Sequence, residues 1–154
     1  MIIIFSHSLV AISEPSSIED EVFFAGVPKD ISVPGTIEVL DNDSFVVGFS
    51  EERGTPAWVA YRVSQVNHFE NLKRPSRFKT DSRVSEPVKH SDYTHSGYDR
   101  GHMAPNFAIA TRHPEDMEDT YLMTNIIPQS PNLNRGPWLD LEMNVAKRYA
   151  QYRD

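Results

Sequence analysis

YDRGHMAP, at positions 98–105, is the stretch of this 154-residue sequence that decides the fold. Successive side chains of an extended segment point to opposite faces, so a strand here would place Arg100 and His102 on one face. Asp99 would point to the other face, toward the rest of the structure, where we expect it to hold the loop or an arginine. The stretch therefore predicts a strand that carries a histidine and an arginine on the same side.

A second group of polar residues follows downstream, in NIIPQ at 125–129 and in LNRGPW at 133–138. The run YLMTNII at 121–127 has the composition of a strand, and we expect Pro128 to end it. We interpret the residues between Pro128 and Pro137 as a tight loop. Pro137 suits the first position of a helix. The predicted apolar stripe of that helix consists of Trp138, Leu141, Val145, Tyr149 and Tyr152.

Three apolar, β-branched runs lie upstream, between residues 36 and 63: TIEVL, SFVVGFS and AWVAYRV. The turn-forming sequences DND and EERGTP separate them, and this pattern predicts an antiparallel meander. Residues 64–96 are polar, contain prolines and show no sustained period. We expect a long loop there with short strand fragments, and loops of that length often carry function.

The net charge of −7 is unevenly distributed along the chain. Residues 1–61 contain two Lys and Arg against ten Asp and Glu, and residues 101–154 contain five against seven. Residues 62–100 contain eight against five, so this segment is basic. A basic segment that leads into the YDRGH stretch favours a polyanionic ligand more than the total charge suggests.

Composition also excludes several classes of protein. No apolar stretch reaches about 18 residues, so we expect no membrane-spanning helix. The absence of cysteine excludes disulfides and thiolate zinc sites. We interpret residues 1–21 as an N-terminal lead, because the apolar run is short and lacks the preceding positive charge of a secretion signal.

Together these motifs resemble the DRGH signature and the metal-binding asparagine segment of the DNA/RNA non-specific endonucleases, a family that includes secreted bacterial nucleases and mitochondrial endonuclease G. The two motifs occur in order, and the similarity extends back to AWVAYRV and FKTD. The resemblance implies an α+β fold: an antiparallel sheet with a ββα-metal finger, also called a His-Me finger. We assign residues 22–154 to this domain.

The resemblance implies hydrolysis of phosphodiester bonds in DNA and RNA without sequence preference, leaving 5′-phosphate products. Neutral imidazole, with an ordinary pKa of about 6.5, suits His102 as the general base that takes a proton from water. The charge that develops on the phosphate calls for a hard dication. Mg²⁺ takes few protein ligands, so the carbonyl of Asn134 is a plausible single ligand, with Mn²⁺ as the expected substitute.

Five further residues complete the predicted site. Arg100 is expected to pair with the scissile phosphate, and Glu142 matches the family glutamate that supports the water of the metal, unless it is a helix-surface carboxylate. A further family arginine, which contacts phosphate and stabilises the transition state, corresponds to Arg74 or Arg77. We favour Arg74 for both roles and keep Arg77 as a substrate contact. Gln129 is a candidate substrate contact.

Members of the family generally continue past the final helix, so we expect a C-terminally shortened domain with an unpaired sheet edge. Such an edge predicts a homodimer or a second polypeptide that completes the sheet. The alternative function is a catalytically impaired nuclease fragment that binds nucleic acid or protein; the presence of Arg100, His102, Asn134 and Glu142 argues against it. The resemblance favours a secreted or periplasmic location.

Overall fold

A computed structural model of the chain describes residues 22, 23, 25–28, 35–63, 73–110 and 114–149. The predicted N-terminal lead, the first part of the predicted polar loop at 64–72, and Tyr152 lie outside the described residues. Within them the protein has a mixed α+β fold with antiparallel strands, as predicted. No helix in the described part of the chain is long and apolar enough to cross a membrane.

The predicted meander is confirmed. Strands β1 (Ile37–Asn42), β2 (Phe45–Ser50) and β3 (Thr55–Tyr61) pair antiparallel in the order β1-β2-β3. Every residue of β2 is buried because the strand has a neighbour on each side. The β-branched and aromatic side chains of such a strand pack on both faces of the sheet. The hydrophobic core consists of Leu40, Phe45, Val47, Phe49, Val84, Ala104 and Ile109.

The loop that follows is irregular in its described part, as predicted, apart from one bridge and one turn of 3-10 helix. Lys79 and Leu122 form an isolated parallel bridge, and the 3-10 helix spans His90–Tyr93. The buried carboxylate of Asp81 accepts from the Thr124 hydroxyl at 2.7 Å and from Arg83 at 2.6 Å. These contacts fix the loop beside the YDRGH strand although it has no repeating hydrogen bonds of its own.

Strand β4 (Asp99–His102) forms over the DRGH residues, as the extended interpretation predicts, and pairs antiparallel with β5 (Ile126–Gln129). The predicted boundaries of the second strand are wrong. Met123–Asn125 form a 3-10 helix, and the strand continues through Pro128. Pro128 is exposed on a two-stranded sheet, where its missing N–H is tolerated.

The Asn125 side chain ties this 3-10 helix to the segment that follows β4. Its Oδ1 accepts from the Ala104 N–H at 2.8 Å, and its Nδ2 donates to the carbonyls of Ala104 and Thr120 at 3.0 and 3.1 Å. Asn125 is fully buried and satisfied, so it holds the loop after β4. This network fixes the residue immediately before β5.

Three α-helices follow β4 in the described part of the chain: α1 (Asn106–Ala110), α2 (Pro131–Asn134) and α3 (Pro137–Asn144), with a 3-10 helix at Pro114–Tyr121. The predicted start of α3 at Pro137 is confirmed. The prediction of a tight loop before it is wrong in part, because α2 forms there. Pro131 occupies its first turn, and the Ser130 hydroxyl accepts from the Leu133 N–H at 3.4 Å.

The predicted apolar stripe of the last helix is only partly correct. Trp138 and Val145 are half-buried, but Leu141 is 51% exposed and Ala146 is buried. Residues Val145–Tyr149 form a π-helical turn, which changes the period that the prediction assumed. The inward face therefore follows the spacing of Trp138, Glu142 and Ala146, and it includes a carboxylate.

Candidate active site

His102 lies in β4 among aromatic rings. Its imidazole centroid is 5.3 Å from the Phe78 ring and 5.2 Å from the Tyr121 ring, which it meets edge to face. Its Nε2 is buried without a hydrogen-bond partner among the described residues. Burial, aided by the positive charge of Arg74, lowers the pKa of His102 to about 4. The ring is therefore neutral near neutral pH, as a general base must be.

Trp138 joins the strand of His102 to helix α3. Its indole Nε1 donates both to the main-chain carbonyl of His102 and to Oε1 of Glu142, each at 3.1 Å. Burial raises the pKa of Glu142, while the Trp138 hydrogen bond and the charge of Arg74 act in the opposite direction. The predicted base and the predicted supporting carboxylate thus share one donor, which fixes both.

Arg74 is the arginine that the structure brings to this group. Burial lowers the pKa of His102 and raises the pKa of Glu142 and of Tyr121, and the charge of Arg74 acts to lower all three, so it lies close enough to act on each of them. The charge of Arg77 acts instead on His90. Both arginine side chains are exposed. Their positions favour Arg74 for the role next to the base, which the sequence left open between the two.

Arg100 lies on the same strand as His102, two residues earlier. Its guanidinium donates to the main-chain carbonyl of His90 at 3.1 and 2.5 Å and to the Thr94 hydroxyl at 3.2 Å. It also lies 5.7 Å from the centroid of the Tyr93 ring. These contacts place the cation against the 3-10 turn of residues 90–93.

Asn134, the last residue of α2, is held by Asp99. The Asn134 Nδ2 donates to Asp99 Oδ2 at 3.1 Å, and the Arg135 guanidinium donates two hydrogen bonds of 2.7 Å to the same carboxylate. These partners, Arg135 foremost, hold the pKa of Asp99 below its usual range. The expectation that Asp99 holds an arginine is therefore confirmed.

This arrangement fits a hard cation. Because Nδ2 of Asn134 faces Asp99, the carbonyl Oδ1 is the end of the amide that is left to bind a ligand. Carbonyl oxygen is a ligand that Mg²⁺ accepts, and Mg²⁺ usually keeps several waters. In the described part of the chain, no three His, Asp or Glu residues come together as a ligand set. A metal held here would thus depend on few protein ligands.

Gln129 is placed away from His102. It pairs with Asp99 across the two strands, so its side chain shares the Asp99 face. The side chain is buried and packs over Gly101, where a Cβ would lie 2.2 Å from Gln129 Oε1. That oxygen has no partner among the described residues. The glycine of DRGH is explained by this contact, since no larger residue leaves room for Gln129.

Three residues around His102 were missed from the sequence as parts of the site: Phe78, Tyr121 and Trp138. Trp138 was assigned to the core. Phe78 and Tyr121 lie next to the bridge between Lys79 and Leu122, which brings their rings to a centroid distance of 4.9 Å. Phe78 stands in FKTD and Tyr121 in YLMTNII, but a single sequence carries no signal that pairs these two segments.

A strand pair followed by helices, with a neutral histidine on the first strand and an asparagine before the last helix, defines the ββα class of nuclease fold. The model of the DNA/RNA non-specific endonuclease family matches residues 27–154, and the chain belongs to this family. The family is one of metal-dependent nucleases.

Individual relatives agree with this assignment. The chain is 37% identical over 107 residues to a nuclease of Nostoc sp., an alignment that covers 68% of this chain and 38% of that protein. It is 28% identical over 116 residues to human mitochondrial endonuclease G, covering 71% of this chain and 38% of the relative. The chain therefore spans less than half the length of these relatives.

A solved structure of an EndoG/EndoGI complex, described as showing the mechanism of EndoG inhibition, is also similar. Its TM-score with this chain is 0.74 at 27% identity, and the match covers 90% of this chain and 56% of that one. The predicted fold class is confirmed by this likeness.

Proposed function

We propose that this protein is a metal-dependent endonuclease that hydrolyses phosphodiester bonds of DNA and RNA without sequence preference and leaves 5′-phosphate products. The observation that carries the proposal is the position of His102. His102 has a neutral, half-buried imidazole within the field of Arg74, and its main-chain carbonyl shares the Trp138 donor with Glu142. A histidine in the core for packing alone would not need a carboxylate and a cation beside it.

In this proposal His102 takes the proton of the attacking water. Its low pKa keeps the ring unprotonated through the physiological range, so the base is always available. Arg74 and Arg100 bind the scissile phosphate, and Arg74 also offsets the charge that grows on it. Glu142 orients water near the metal, in keeping with its hydrogen bond to Trp138.

Asn134 is the proposed protein ligand of Mg²⁺, which Mn²⁺ would replace. When bound, the ion acts as a Lewis acid toward the phosphate and stabilises the leaving oxygen. Asp99 and Arg135 support the proposal because they leave the Asn134 carbonyl oriented for a ligand. Orienting partners of this kind commonly determine metal affinity.

Substrate binding would depend on phosphate contacts. Arg74, Arg77 and Arg100 belong to the basic segment, and contacts to phosphate carry no base information. The role of Gln129 as a substrate contact stays a prediction. Its Oε1, which has no partner among the described residues, supports this role, whereas its position on the Asp99 face, away from His102, does not. The proposal predicts binding that weakens strongly with salt and is nearly equal on unrelated sequences.

Two wider predictions belong to the same proposal. A homodimer, or a second polypeptide that completes the sheet, is consistent with β1 and β3, each of which pairs with one strand among the described residues. A secreted or periplasmic location is the other. The relatives include a bacterial nuclease and a mitochondrial endonuclease.

The experiment is plasmid nicking by the purified full chain with Mg²⁺ and with EDTA, alongside binding to a labelled duplex. Cleavage with Mg²⁺ that EDTA abolishes is the expected result, with 5′-phosphate ends shown by ligation. Binding without cleavage would instead establish the impaired fragment that binds nucleic acid. Cleavage of a dinucleotide but not of a plasmid would mean a small-molecule phosphodiesterase.

A further inference from the structure

His90 contacts both the aromatic group around His102, through Phe78, and the cationic side chain of Arg100. Its ring Nδ1 accepts the main-chain N–H of Phe78 at 3.3 Å, and its ring stacks on the Phe78 ring at a centroid distance of 6.0 Å and an angle of 28°. Its own main-chain carbonyl accepts two hydrogen bonds from the Arg100 guanidinium. One residue thus contacts the segment of Phe78 and the side chain of Arg100.

Phe78 transmits this contact to the base. The Phe78 ring lies 5.3 Å from the His102 ring and 4.9 Å from the Tyr121 ring, so it forms one wall of the space that His102 occupies. The segment around Phe78 is a loop that a β-bridge joins to Leu122 at Lys79, whose ammonium group also pairs with Glu118. The hydrogen bond from the Phe78 N–H to the His90 ring fixes the residue that immediately precedes this bridge.

We propose that His90 is a positioning residue for this reaction: its ring acceptor holds Phe78 against His102, and its carbonyl holds Arg100. The inference rests on the proposed nuclease function and extends it to a residue outside the YDRGH and asparagine motifs. His90 does not touch the reacting atoms. It acts through Phe78, which keeps water away from part of the His102 ring, and through Arg100, whose side chain it directs.

The acceptor role requires an unprotonated Nδ1, and the surroundings supply it. Burial lowers the pKa of His90, and the positive charges of Arg100 and Arg77 lower it further. Lys89 and Asp92 are the charged neighbours on its own turn, where the Asp92 carboxylate accepts from the Lys89 N–H at 2.8 Å. If the His90 ring were protonated, its Nδ1–H would face the Phe78 N–H, so two donors would meet. The ring would also add a positive charge near Arg100 and Arg77.

Three substitutions separate the roles of the ring in the full chain. His90→Asn places an amide oxygen near the position of Nδ1, so it keeps the acceptor. His90→Phe keeps the stacking and removes the acceptor, and His90→Gln carries its acceptor one bond too far. His95→Asn is the matched control, because His95 is exposed and has a φ of 61°, which asparagine tolerates.

Three quantities are measured: kcat and KM on a plasmid with Mg²⁺, and the ring pKa of His102 by NMR of ¹³C-histidine protein in EDTA. Loss of one hydrogen bond predicts a kcat lower by about three- to tenfold for His90→Phe and His90→Gln. KM should stay nearly unchanged because the main-chain contact to Arg100 remains. The pKa of His102 should rise toward its ordinary value as water reaches the ring.

His90→Asn should restore both kcat and the pKa of His102, and His95→Asn should change neither. The proposal is overturned if His90→Phe and His90→Gln both keep the wild-type kcat and His102 pKa, or if His90→Asn is as impaired as they are. A wild-type chain that does not cleave would refute the proposed function alone. The NMR titration of His102 would still decide whether His90 positions it.

Discussion

Replacing Asp99 with alanine removes the partner that orients the proposed metal ligand. Asn134 loses the acceptor for its Nδ2 at 3.1 Å, and Arg135 loses both of its hydrogen bonds of 2.7 Å. The Asn134 side chain itself stays in place at the end of α2. The expected effect is therefore on the affinity for Mg²⁺ and not on the identity of the ligand.

The size of this effect follows from the number of orientations that Asn134 regains. Three staggered χ1 wells and two amide orientations give about six arrangements, one of which presents Oδ1 as in the structure. The half-saturating Mg²⁺ concentration should rise at least about sixfold on this count. Partners that orient metal ligands commonly contribute about 10- to 100-fold, which sets the upper range.

The assay is the initial rate of plasmid nicking across a Mg²⁺ titration, for wild type, Asp99→Ala, Asp99→Asn and Asn134→Ala. Asp99→Asn keeps an acceptor for Asn134 while losing the charge that binds Arg135, so its half-saturating concentration should fall between wild type and Asp99→Ala. The double variant of Asp99→Ala and Asn134→Ala should be little worse than Asn134→Ala alone, because the two residues act together. Additive losses, or an unchanged titration in Asp99→Ala, would refute the reasoning.

Three further predictions concern the strand of the base. Burial lowers the pKa of His102 to about 4 from its usual 6.5, so between these pH values the unfolded chain binds a proton that the folded chain does not. The free energy of unfolding should therefore decrease as pH falls through this window, by about 3 kcal/mol from this group, and urea titrations should show a weaker dependence in His102→Ala. Gly101→Ala should lower the stability by about 1 to 3 kcal/mol, measured by thermal unfolding, because the new methyl would collide with Gln129. Trp138→Phe should lower kcat by about tenfold, since two hydrogen bonds are lost, one of them to the His102 carbonyl. Trp58→Phe is the matched control, because the buried Trp58 Nε1 has no hydrogen-bond partner among the described residues, and equal losses in both variants would contradict the assigned role of Trp138.

Local patterns predicted the parts of the fold that depend on local chemistry. The apolar, β-branched runs separated by turn sequences predicted the meander, and the extended interpretation of DRGH predicted β4 with Arg100 and His102 on one side. Pro137 marked the start of the last helix correctly. These features follow from side-chain periodicity and from the fixed φ of proline, which a single sequence displays directly.

Contacts between distant segments could not be predicted in the same way. The contact of His90 with Phe78 and the pairing of Asp99 with Arg135 join residues that no repeating pattern links. The predicted start of β5 was wrong beside another such contact: the buried amide of Asn125, the residue before β5, bonds to Ala104. The sequence therefore indicated which residues carry the chemistry, but not which residues hold them.

The central claim, that His102 is the general base, is tested most directly by single-turnover cleavage of a plasmid at saturating protein and Mg²⁺. His102→Ala should cleave about 10²- to 10⁴-fold more slowly than wild type. It should still bind the labelled duplex with wild-type affinity, because the phosphate contacts assigned to the arginines remain. A folded His102→Ala protein that retains more than about a tenth of the wild-type rate would contradict the claim, since a general base contributes at least about a hundredfold.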